Sequence, residues 1–78
     1  MSIDFDAVLT NEQKAEIIQQ RITQFAAEAY QHELNKKTAE QLGSEEQVEN
    51  INKNLEILEA AINVHKKELA KLPITPAE

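Results

Sequence analysis

The sequence predicts an all-α fold: a long antiparallel helical hairpin, a two-helix coiled coil completed by oligomerisation or by a partner. Three observations carry that expectation. Helix-disfavouring residues are scarce, with one Gly and two Pro in 78 residues. Apolar residues recur at alternating intervals of three and four, the spacing of one helix face packed on another. The single glycine, Gly43, falls between two such stretches, with a helix-start signal directly behind it.

Residues 1–9 hold four apolar side chains, Ile3, Phe5, Val8 and Leu9. They are expected as an apolar docking segment, either a short helix over the open end of the hairpin or an extended peptide. Thr10 suits an N-cap, and Gln13 three residues on completes a capping box. The first helix is therefore expected over 11–42, about 45 Å long at the helical rise. Gly43 fits the left-handed position that ends a helix. Ser44 and Gln47 repeat the capping pattern, and Glu45 and Glu46 occupy a first turn, where negative charge is favoured. The second helix is expected over 45–72, up to Pro73. Pro73 and Pro76 restrict the tail, residues 73–78, to extended or turn conformations.

The two apolar stripes fit one another when the chain folds back at Gly43-Ser44. Working outward from the turn, Ala39 faces Val48, Lys36 faces Ile51, His32 faces Leu55 and Ala29 faces Leu58. Phe25 then faces Ile62, Ile22 faces His65, Ile18 faces Leu69 and Ala15 faces Leu72. A small residue usually meets a large one, as close packing of two helices requires. Beside the stripes, Arg21 is expected near Glu68, Gln19 near Lys66 and Asn35 near Asn54.

Composition narrows the function. Eight Lys and Arg against fourteen Asp and Glu leave a net charge of −6. The acidic excess is shared by both halves. The one basic cluster, Lys66, Lys67 and Lys71, stands where cations offset a helix dipole, so no direct nucleic-acid contact is expected. No apolar run approaches the ~20 residues of a membrane span, and Asp4 and Asp6 spoil a signal-peptide reading; no membrane contact is expected. With no cysteine, disulfides and thiolate metal sites are excluded. So short a chain buries only roughly 60% of its unfolded surface, which makes self-association a natural source of stability.

Site-like residues are few. His32 and His65 lie about 15 Å apart along the axis by helical rise, too far to share a metal within one chain. They are read as seam residues, and no metal or cofactor is expected. Ser44 is better used as a cap than as a nucleophile, and a single glycine makes no phosphate loop. No enzyme activity is expected. The informative residues are apolar ones beside the seam: Ala26, Ala27, Tyr30 and Leu34 in the first helix, and Ile57, Ala60, Ala61 and Val64 in the second, with Ile17 apart. Contiguous exposed apolar patches mark interaction sites. The expected surface is Tyr30, Leu34, Ile57, Ala61 and Val64, with Ile3 and Phe5 from the N-terminal segment.

These residues suggest a non-enzymatic protein–protein interaction module, a structural or assembly component. Its partner would be a second copy (a homodimer) or a larger assembly. The alternative is a small acidic inhibitor or adaptor that binds and blocks another protein. The opening Ile3-Asp4-Phe5-Asp6-Ala7-Val8-Leu9-Thr10 and the run from Gln20 to Tyr30 resemble small uncharacterised acidic helical proteins of tailed bacteriophages. The resemblance covers about the first half and has no defining motif. It implies a virion-associated or accessory role, located in the host cytoplasm or the virion, and transfers no functional residue.

Overall fold

The computed structural model describes residues 2–73. Among them are three helices and no strand: α1 (Phe5–Val8), α2 (Asn11–Leu42) and α3 (Glu45–Lys71). Helices α2 and α3 pack against each other as an antiparallel hairpin.

The ends of α2 follow from local chemistry. Thr10 is extended at φ −76 and ψ 164, and its side chain accepts from the Gln13 N–H at 3.0 Å. The Gln13 side chain returns the bond, accepting from the Thr10 N–H at 2.8 Å. Two amides that helix geometry would leave unsatisfied are thereby bonded. At the other end Gly43 takes φ 73 and ψ 22, the left-handed region that glycine enters without Cβ strain. The turn closes as a Schellman motif: Gly43 N–H donates to Glu40 O at 3.1 Å, and Ser44 N–H to Ala39 O at 2.9 Å.

The second expected capping box does not form. Ser44 holds the N-cap position of α3, but its side chain makes no capping bond. Ser44 stands at φ −89 and ψ 89, away from the extended geometry (ψ 164) from which Thr10 caps α2, and the Ser44 N–H that Gln47 would have satisfied is already bonded to Ala39. The start of α3 instead has Glu45 and Glu46 in its first turn, where carboxylates favour the dipole. At its far end α3 stops at Lys71, one residue short of the expected 72. Leu72 turns extended at φ −71 and ψ 132, as the residue before a proline should. Beyond Pro73, the expected extended tail lies outside the described residues.

Every expected seam residue is half-buried or buried, from Ala15 to Ala39 in α2 and from Val48 to Leu72 in α3. Among the described residues only Ala39, at 2% exposure, and Leu58, at 8%, are buried. Leu58 sits mid-hairpin, level with Ala29. Ala39 lies beside the turn, where a small side chain lets the helices converge. Lys36 is half-buried at its seam position, as a long side chain with an aliphatic stem and a charged head can be.

The hairpin is a single layer. Its extents are 51 × 38 × 15 Å, and its radius of gyration is 17.0 Å, against about 11.5 Å for a compact domain of this length. The shortest extent barely exceeds one helix diameter of 10–12 Å. Domains ordinarily enclose a core between two layers; here both broad faces of the one layer are open.

Candidate interaction surface

Helix geometry assigns each residue beside the seam to one of the two open faces. In an antiparallel pair, residues immediately preceding a seam position lie on one face from both helices, and those immediately following lie on the other. We term these the leading and trailing faces.

The leading face is apolar at the open end of the hairpin. Ile17 precedes Ile18, and Val64 precedes His65; both line a cleft of about 370 Å³. Phe5 and Leu9 enter the same cleft from the N-terminal segment. That segment forms one helical turn, the first of the two expected forms. It is tied down by an ion pair from Asp6 to Lys14 and by Leu9, which is half-buried. Ile57 and Ala61 continue this face along α3, Ile57 at 67% exposure and Ala61 half-buried. Toward the turn the face becomes neutral and polar, with a groove lined by Asn35, Thr38, Gln47 and Asn50.

Cations on the leading face are each engaged. Lys14 pairs with Asp6, and Lys71 with Glu68 at 3.0 Å. Arg21 turns inward to the seam, donating from Nε to His65 Nε2 at 3.0 Å. Arg21 was expected near Glu68; the hydrogen-bond partner it takes is His65. His65 offers an acceptor at the seam that Arg21 reaches while its guanidinium covers the Phe25 ring, with Cζ 5.1 Å from the centroid. The His65 ring meets Phe25 edge-on at 5.0 Å and 74°, and its Nδ1 lies 2.7 Å from Ala61 O. A carbonyl only accepts and an arginine Nε only donates, so these partners select the neutral imidazole with its proton on Nδ1. His65 is thus a satisfied seam residue. Among the described residues no three His, Asp or Glu side chains converge as a metal site would need.

The trailing face differs in charge. One groove is lined by Glu33, Glu56 and Glu59, with Lys66 the cation among its lining residues. A second, nearer the turn, is lined by Glu40, Glu45 and Glu49. Each groove combines carboxylates from both helices, and the chain's negative excess is concentrated here.

The expected interaction residues therefore separate. Phe5, Ala61, Val64 and Ile57 share the leading face. Tyr30, 65% exposed, follows the seam residue Ala29 and lies on the trailing side, one turn before Glu33. Leu34 is exposed on the outer edge of α2, and Ile3 is exposed ahead of α1. Two residues outside the expected surface belong to it: Ile17 and Leu9. Ile17 was legible, since it precedes a seam residue in the same phase as Val64.

Fold and surface together define a class, the single-layer α-helical hairpin with one face that mixes apolar and polar residues and one that gathers carboxylates. No helix among the described residues is long and apolar enough to cross a membrane. Comparison with protein-family models, curated proteins and solved structures returns no match.

Proposed function

We propose that the chain is a non-enzymatic protein–protein interaction module that serves as a structural or assembly component. The single helical layer is the observation that supports this most. Ile17, Ile57 and Val64 are all exposed, and apolar area of that kind stabilises only when something covers it. A second copy or a larger assembly would supply the missing layer. The resemblance of the opening residues to small phage proteins adds, from sequence alone, a virion-associated or accessory setting.

A second reading, an acidic inhibitor or adaptor, has its own supporting observation. The carboxylates of Glu33, Glu56 and Glu59 line one groove, a surface complementary to a basic partner. Affinity capture from native lysate, using the tagged chain with an untagged second copy present, tests both readings. The assembly reading predicts salt-resistant retention of a stoichiometric partner, the second copy included. The inhibitor reading predicts a basic partner lost as salt rises, because exposed charges are screened. A chain that retains nothing, and that folds cooperatively alone, would contradict both.

A further inference from the structure

Self-association of this hairpin is open to only one of its two faces. Resting on the interaction-module reading above, we propose that the leading face, carrying Ile17, Ile57, Ala61 and Val64, is a homodimer interface. Two chains would close it into a two-layer, four-helix bundle.

Area points to a second layer of this size. The chain exposes 6398 Å², whereas a compact monomer of its mass exposes about 4,800 Å². The excess, on the order of 1,600 Å², comfortably covers the roughly 800 Å² that each partner contributes to a standard interface. A face-to-face pair of hairpins also restores the two-layer arrangement that bundles use to enclose a core.

Charge chooses the face. A two-fold dimer sets a patch against its own copy. Pairing through the trailing face would bring Glu33, Glu56 and Glu59 against the same three carboxylates, with Lys66 as the nearby cation. Like charges placed so oppose association. The leading face carries fewer carboxylates, Glu28 and the Lys71-paired Glu68, so setting it against its own copy meets a smaller penalty. Its cations are engaged within the chain, Lys14 by Asp6, Arg21 by His65 and Lys71 by Glu68. Its apolar cleft would fill with the partner's Val64 and Ile17, and its amide-lined groove near the turn offers both donors and acceptors. The two acidic faces would then point outward, holding dimers apart and limiting further growth.

The test is sedimentation or light scattering of the full chain from about 1 μM to 1 mM, concentrations that bracket a micromolar constant. The expected result is a monomer–dimer equilibrium. Val64→Glu and Ile57→Glu should each raise its dissociation constant by about tenfold or more, as a charge moved into an apolar contact does. Tyr30→Glu, off the interface, should leave it unchanged. Because a glutamate variant that unfolded the hairpin would lose the dimer as well, a second measurement uses the native face. The chain lacks cysteine, so a nitroxide is attached at the exposed outer edge of α3, at Lys53→Cys, in one copy and mixed with an isotope-labelled copy. Broadening between copies at Ile57, Ala61 and Val64 supports the proposal. Broadening instead at Glu33, Glu56 and Glu59 overturns it. So does a wild-type chain that stays monomeric throughout, and so does equal weakening by Tyr30→Glu and Ile57→Glu. If the chain is monomeric yet captures a different protein, only the homodimer falls; if it captures nothing, the interaction-module reading falls with it.

Discussion

Arg21 and His65 meet across the hairpin, the Arg21 Nε–H donating to His65 Nε2 at 3.0 Å. The contact gives a polar seam position a partner without burying a charge, because Arg21 remains exposed. It packs beside Phe25, yet an apolar residue could fill the same place.

His65→Leu is therefore expected to leave stability within about 1 kcal/mol of wild type or to raise it. The imidazole gives way to apolar packing, the exposed Arg21 donor turns to water, and no polar group is left enclosed. His65→Ala removes the packing as well and is expected to cost about 1–2 kcal/mol. Thermal melts of the two variants decide this. A leucine variant less stable than the alanine variant would show that the imidazole's hydrogen bonds, and not its volume, hold the layer.

Gly43 is held at φ 73 with nothing within 4 Å of the position a Cβ would take. Substitution there meets backbone strain and no clash. Gly43→Ala is expected to cost about 1 kcal/mol, and Gly43→Val more, since a β-branched residue is strained in the left-handed region. Gly43→Asn should be the mildest of the three, because asparagine tolerates that conformation. Denaturant melts check the order; three equal costs would mean that the turn does not impose the left-handed geometry.

Leu58 is the most enclosed large side chain among the described residues, at 8% exposure. Leu58→Ala is expected to cost about 2–4 kcal/mol. Ile62, half-buried in the next layer, should cost less on truncation. Glu56→Ala, on the exposed trailing face, should fall within about 0.5 kcal/mol of wild type. Comparable losses at Leu58 and Glu56 would contradict the observed seam.

The seam, the turn and the start of α2 were legible because each is written locally. Spacing alone put Phe25 and Ile62 in the seam, where both are half-buried, and Gly43 and Thr10 each carry the chemistry their backbone geometry uses. The partner of Arg21 was not legible. Register put Glu68 and His65 both within its reach, and the choice depends on a side-chain rotamer that also covers Phe25. Ser44 has the right residue type for a cap, but its backbone stands at ψ 89 and its amide is bonded to Ala39 across the turn, neither of which spacing rules register. The division of Tyr30 from Val64 was latent in the sequence. Tyr30 follows a seam residue and Val64 precedes one, so two stripes that look alike on separate helices face opposite ways once the chain reverses.

The most direct test of an unfinished single layer is the thermal midpoint of the wild-type chain as a function of its own concentration. If a second copy completes the fold, the dimer is linked to folding by mass action, and the midpoint should rise on the order of 3–6 °C for each tenfold increase in concentration. A sharp, cooperative transition whose midpoint is identical at every concentration would mean that the hairpin is stable by itself. It would contradict the claim that a second copy supplies its missing layer.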